Sequence, residues 1–112
     1  ERLGVCIDTC HAHAAGYDLG NADAAETMFD EIDRLLGKGR VRALHVNDAK
    51  SERGSRVDRH ALIGRGTLGP EPFRWLVNAR RFADIPGILE TPLAKGETYA
   101  AEVAALRSLA ER

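Results

Sequence analysis

At 112 residues the sequence is enough for one domain or less, and 44% apolar with 29% charged residues is the balance of a globular protein, not a disordered one. It holds no run of the roughly 18 apolar residues that a membrane-spanning helix needs, and nothing at its N-terminus reads as a secretory signal. A net charge of −1 excludes a partner chosen by bulk electrostatics. The opening Glu1, followed almost at once by a strand pattern, reads as the edge of a piece cut from a longer protein.

In chain order, GVCIDT (Gly4 to Thr9) is a short apolar run ending in polar residues, the pattern of a buried strand. Its Cys6 and Cys10 are spaced C-x3-C, which is not the redox C-x-x-C, and no second pair completes a four-cysteine zinc site. They read as small, buried, reduced thiols. After a loop through Gly16 and Gly20, Asp23 is placed to cap a helix, with Glu26 three residues on. Met28, Phe29, Ile32, Leu35 and Leu36 then recur on one helical face, and Gly37 ends it.

Val41 to Asp48 is a second strand, with His45 where an aliphatic residue is expected. The stretch from Asn47 to Gly69 holds four glycines and no periodicity, a loop long enough to imply a function. Between Lys50 and Arg65 it carries five cations against two carboxylates, a local positive charge suited to a phosphate-bearing substrate. Pro70 and Pro72 fit only a first helical turn, and Phe73, Leu76 and Val77 form the apolar face that follows, with Trp75 at its rim. Ile85 to Thr91 is a third strand. A last helix covers Glu97 to Arg112, with Tyr99, Val103, Leu106 and Leu109 on its buried side.

Short aliphatic strands alternating with amphipathic helices imply parallel βαβ units. Right-handed crossovers bring all three strand C-termini to one edge. Polar chemistry gathers there: Asp8-Thr9-Cys10-His11 on the first strand, His45 with Asn47-Asp48 on the second, Glu90 on the third. The natural frames are an open α/β sheet or a (β/α)8 barrel, of which three units are under half. If Asp8, His45 and Glu90 point inward, Cys6, Ala43 and Ile88 share their side, while Val5, Ile7, Leu44, Val46 and Leu89 face the helices.

Imidazole and carboxylate are the ligands of zinc-type hydrolytic sites. Asp8, His45 and Glu90 can form one set, and His11 with the Asp58-Arg59-His60 pair can form another. Carboxylates clustered without cations repel one another, and bound metal relieves that repulsion. The spacing therefore points to a multinuclear metal hydrolase. His13, the fourth histidine, stands outside both sets.

Four segments carry a family resemblance. GVCIDTCH (Gly4 to His11), HVNDAKSERGSRVDRH (His45 to His60), GRGTLG (Gly64 to Gly69) and ILET (Ile88 to Thr91) resemble endonuclease IV, the zinc-dependent apurinic/apyrimidinic endonucleases. The first two match that family's signatures almost letter for letter, and the resemblance covers nearly the whole chain. It implies the C-terminal three βα units of a xylose-isomerase-like TIM (β/α)8 barrel, within a single domain that begins earlier, and a DNA-repair enzyme. The activity implied is cleavage by zinc-activated hydroxide on the 5′ side of abasic sites, leaving a 3′-hydroxyl and a 5′-deoxyribose phosphate.

Carried over by position, Asp8, His45 and Glu90 correspond to ligands of one zinc, and His11, Asp58 and His60 to those of another. Glu90 would also lie beside the attacking hydroxide. The family's three zincs need two further histidines and a bridging glutamate that have no counterpart here, so ligands for about two are present. Lys50, Ser55, Arg56 and Arg59 are placed to meet phosphates of double-stranded abasic DNA, although Arg59 has the alternative of bracing Asp58. The resemblance implies a cytoplasmic enzyme, monomeric when intact. Two alternatives stand beside it: a sugar isomerase or epimerase of the same barrel group, and an inert fragment lacking its remaining ligands.

Overall fold

The structure, a computed structural model, describes residues 2–111. The first strand, β1 (Val5–Asp8), runs directly into a short helix, α1 (Thr9–Ala15), where the sequence pattern indicates a loop. The reason is Asp8, whose side chain accepts from the backbone N–H groups of Cys10 and His11 and so caps the helix that follows it. Gly16, at φ 111°, closes α1 in the left-handed region that only glycine adopts freely.

The next helix, α2 (Ala22–Leu36), starts earlier than the Asp23 cap expected: Asn21 is the cap, accepting from Ala24 N, and Asp23 lies inside the first turn. Met28 and Phe29 are buried on the inward face as the periodicity indicates, whereas Leu35 and Leu36, at its end, are exposed. The strand β2 (Val41–His45) stops three residues short of the expected Asp48. Asp48 and Ala49 form a separate strand, β3 (Asp48–Ala49), antiparallel to β4 (His60–Ala61). The long glycine-rich loop thus contains a small ribbon that carries His60 back toward the strand ends.

Pro70 opens α3 (Pro70–Asn78) in the position where a missing N–H costs nothing. A single 3-10 turn (Arg80–Phe82) leads to β5 (Gly87–Ile88), shorter than the Ile85 to Thr91 strand expected. The last helix, α4 (Tyr99–Ser108), is likewise shorter than Glu97 to Arg112, and Arg112 lies outside the described residues. Tyr99 is not on its buried side: it is 42% exposed, and its hydroxyl donates to the Thr91 carbonyl. Glu102 is the buried residue of this helix.

The three longer-range strands form one parallel sheet in the order β1-β2-β5. Cys6 pairs with Ala43 and Asp8 with His45, and His45 in turn pairs with Ile88. Residues opposite one another in register share a face, so the side predicted for Asp8, Cys6, Ala43, His45 and Ile88 is common to them all. Leu44 and Val46 point the other way and are buried against the helices. The core there contains Met28 and Phe29 of α2, Phe73 and Leu76 of α3, and Phe82. Phe29, Phe82 and Trp75 form an aromatic trio with ring centroids 4.8 to 5.8 Å apart. Trp75 therefore packs at the rim of that core.

The opposite face of the sheet is uncovered. Cys6 is exposed, correcting the expectation that both thiols are buried, and Ile88 is 46% exposed. Among the described residues the sheet ends at β1 on one side and β5 on the other, so the barrel is not closed. No helix among them is long and apolar enough to cross a membrane.

Candidate metal centre

Asp8 is the hub of the site because its two oxygens do different work. Oδ1 is spent on α1, accepting from Cys10 N at 2.8 Å and His11 N at 3.1 Å. Oδ2 is turned outward into a ring of three imidazoles. His45 Nδ1 and His60 Nε2 lie 3.6 Å from it and His11 Nδ1 lies 3.9 Å away. The carboxylate is 6% exposed, so the cap that starts α1 also fixes a nearly buried anion at the strand ends.

Each histidine arrives by a different route. His11 sits in the first turn of α1, on the rim. His45 ends β2 beside Asp8, as the register requires. His60 begins β4 and is brought in by the ribbon. Their carboxylate partners are Asp58, with Oδ2 2.6 Å from His11 Nε2 and Oδ1 3.3 Å from His60 Nε2, and Glu90, with Oε1 2.8 Å from His45 Nδ1. The six residues singled out from the sequence thus converge in the two sets expected, Asp8/His45/Glu90 and His11/Asp58/His60. Within each set the donor atoms lie no more than 4.8 Å apart.

His60 shows what such a cluster is suited to hold. Its Nδ1 lies 2.9 Å from the Glu90 carbonyl oxygen, which can only accept, so Nδ1 carries the proton. In the neutral ring Nε2 is then a bare lone pair. It is buried, has no hydrogen-bond partner among the described residues, and faces the oxygens of Asp8 and Asp58. A lone pair aimed at two carboxylates is repulsive unless a cation lies between them or the nitrogen takes up a proton. An imidazole with one nitrogen tied to a carbonyl and the other left bare is the arrangement by which proteins orient metal-binding histidines.

The same electrostatics appear in the titrations. The hydrogen bond that His11 donates to Asp58 holds the imidazole above its usual range, with the Asp8 charge adding to it. Asp58 is pushed up by desolvation, but the hydrogen bond and charge of His11 outweigh this and hold it below the usual carboxylate range. Cys10, from its spacing no more than a core thiol, lies in a third cluster with Asp8 and His60. Burial, reinforced by the charges of Asp8 and Asp58, pushes its thiol up to about 12. It remains protonated, within reach of the Arg59 carbonyl at 3.4 Å and Asp58 Oδ1 at 3.7 Å. Cys10 therefore steadies Asp58 as a neutral donor.

The loop between β3 and β4 is strapped to α1. Gly54 N donates to the His13 carbonyl and Arg56 N to that of Ala14, with Arg56 at φ 61°. His13, outside both ligand sets, is buried with Nε2 2.9 Å from Thr67 Oγ1 and 3.2 Å from the Ser51 carbonyl. Lys50, Ser55, Arg56 and Arg59 are exposed along this loop, and among the described residues the three cations make no ion pair. Arg59 therefore does not brace Asp58.

The sequence pattern places Asn47 and Asp48 among the polar residues at the second strand's end but gives neither a role. Asp48, fully buried, accepts from Ala49 N, Leu68 N and Gly66 N and so holds the GRGTLG turn. Any side chain at Gly66 would collide with Asp48 and the Ala49 carbonyl. Asn47, also fully buried, reaches both Asp8 and Glu90. The signal was its place two residues beyond His45, on the same face of the strand.

A family model described as xylose isomerase-like TIM barrel matches residues 1–109. A probable endonuclease 4 of Chloroflexus aurantiacus is 54% identical over 114 residues, covering 99% of this chain and 39% of the relative. A probable endonuclease 4 of Geobacter sulfurreducens is 50% identical over 99 residues, covering 88% of this chain and 33% of the relative. The crystal structure of endonuclease IV from Thermus thermophilus superposes with a TM-score of 0.81 at 39% identity, over 96% of this chain and 38% of that one. The chain thus spans about two fifths or less of the proteins it matches.

Proposed function

The chain belongs to the xylose isomerase-like TIM barrel family, and on that premise we propose that it is part of a zinc-dependent DNA-repair endonuclease that cuts the phosphodiester bond on the 5′ side of abasic sites. The products are a 3′-hydroxyl and a 5′-deoxyribose phosphate. The observation that carries the metal is His60 Nε2, bare, buried and aimed at two carboxylates. The donor set is nitrogen and carboxylate oxygen throughout, the chemistry zinc takes in hydrolytic sites.

Asp8, His45 and Glu90 would hold one zinc and His11, Asp58 and His60 another, with the intact enzyme holding three. When bound, zinc supplies Lewis acidity at the phosphate and a nucleophile at neutral pH. The residues do the rest. Glu90 Oε1 lies 2.8 Å from His45 Nδ1, so the two converge on one position, and the half-exposed Glu90 carboxylate would lie beside the attacking water to orient it. Asp8, fixed by two backbone N–H groups, keeps the two ligand sets at a constant separation. Lys50, Ser55, Arg56 and Arg59, on a loop pinned to α1, meet the phosphates flanking the target and set register without reading sequence. The enzyme acts as a cytoplasmic monomer on double-stranded DNA.

The test is incision of a duplex with a single abasic site by the intact protein. Chelation abolishes nicking and added zinc restores it. His60→Ala lowers the rate by more than about 100-fold, beyond what loss of a merely supporting partner produces. Nicking that survives chelation, or turnover of a ketose without nicking, would overturn the reading.

A further inference from the structure

Asn47 is fully buried, yet its side chain joins the two strand ends on either side of its own. Toward β5, Oδ1 accepts from Glu90 N at 2.8 Å; toward β1, Nδ2 donates to Asp8 Oδ2 at 3.3 Å. The orientation of the amide follows from its neighbours. A backbone N–H can only donate, so the end at Glu90 must be oxygen, and the amino end must then face the Asp8 carboxylate. Its backbone is fixed as well: Thr9 Oγ1 donates to the Asn47 carbonyl at 2.6 Å and accepts from Asn47 N at 2.9 Å.

The position matters because regular pairing between β2 and β5 gives out just there. The last backbone bond between them is Val46 N to the Ile88 carbonyl, at 2.8 Å. One residue further, the Asn47 side chain takes the place of a strand and receives Glu90 N. The donor to Asp8 falls on Oδ2, the oxygen turned toward the histidines and not the one spent on capping α1.

We propose that Asn47 is a positioning residue that fixes the Asp8 carboxylate relative to the backbone of Glu90, and with it the affinity and geometry of the metal held by Asp8, His45 and Glu90. This rests on the metal-centre reading above. Asn47 has no exposed surface, so it touches neither substrate nor solvent and acts only through the Asp8 carboxylate and the Glu90 backbone.

The experiment uses the intact protein and two variants. Asn47→Leu is near in volume and removes both hydrogen bonds. Asn47→Ala removes them while leaving room for water, and reads the effect if the leucine variant fails to fold by circular dichroism. Zinc affinity is measured by chelator competition and ligand geometry from the visible spectrum of the cobalt-substituted protein. Zinc binding weakens 10- to 100-fold, about the range for partners that orient metal ligands. The cobalt spectrum shifts, and kcat falls while KM for abasic DNA holds. A folded variant with wild-type zinc affinity and an unchanged cobalt spectrum would overturn the positioning role. Failure of the wild-type protein itself to bind zinc would instead overturn the metal-centre reading.

Discussion

At the residue scale, the site is made by side chains that serve structure and chemistry at once, and Asp8 is the leading case. Its capping of α1 is a local consequence of an Asp at a strand-to-helix junction, and the same cap aims its second oxygen at three histidines. The clustering of imidazoles and carboxylates was legible from spacing because parallel crossovers bring the three strand ends to one edge. The supporting residues were not. Asn47 in a polar run looks like any strand end, and only the neighbouring strands reveal that both ends of its amide are engaged. Cys10 was legible as a core thiol but not as a donor beside Asp58. Its state makes a prediction. Burial, with the charges of Asp8 and Asp58, pushes the thiol up to about 12, and the side chain is fully buried. Cys10 will resist iodoacetamide at pH 8 in the native protein and react fully once denaturant is added, as read by mass spectrometry of its peptide. Native-state modification at a rate near that of a free thiol would show that the pocket around Asp58 is open.

At the element scale, apolar periodicity found the helices but misplaced their ends, because ends are set by single polar contacts and not by the stripe. Asn21 begins α2 two residues before Asp23, the residue that looked like a cap. On α4 the stripe itself misleads: Tyr99 is exposed, while the charged Glu102 is 7% exposed. Glu102 is inward because its Oε1 accepts from Ile63 N at 2.9 Å, a partner nearly forty residues back in the chain and invisible to any local pattern. That bond ties α4 to the segment just beyond His60. Glu102→Ala strands the Ile63 N–H and will destabilise the protein by about 1–3 kcal/mol, whereas Glu102→Gln keeps an acceptor and recovers most of the loss. Urea midpoints for the three proteins check this. An alanine midpoint equal to wild type would mean that water replaces the carboxylate.

At the scale of the whole molecule, strand order and direction were legible because helical crossovers permit little else, and the register puts Cys6, Asp8, Ala43, His45 and Ile88 on one face as expected, with Glu90 beyond the paired part of β5. What the pattern could not give is what lies over that face. Cys6 and Ile88 are exposed on it, Leu3 just before β1 is 82% exposed, and an open groove beside β1 runs from Cys6 and Ile7 to Met28 and Ile32. Strands β1 and β5 both end the sheet, leaving backbone donors and acceptors ready to pair with another chain. In a closed barrel none of these edges exists. The 112-residue chain on its own will therefore self-associate and bind a hydrophobic dye. It will show little or no incision of abasic DNA, since two sets of ligands on an open sheet edge are not held by a closed ring of strands. Size-exclusion chromatography at two concentrations, with dye fluorescence and the nicking assay on the same sample, decides this. A dye-silent monomer would mean that the short strands and the irregular register between Val5 and Cys6 are enough to blunt the edges, and efficient incision would place the whole catalytic apparatus within these three βα units.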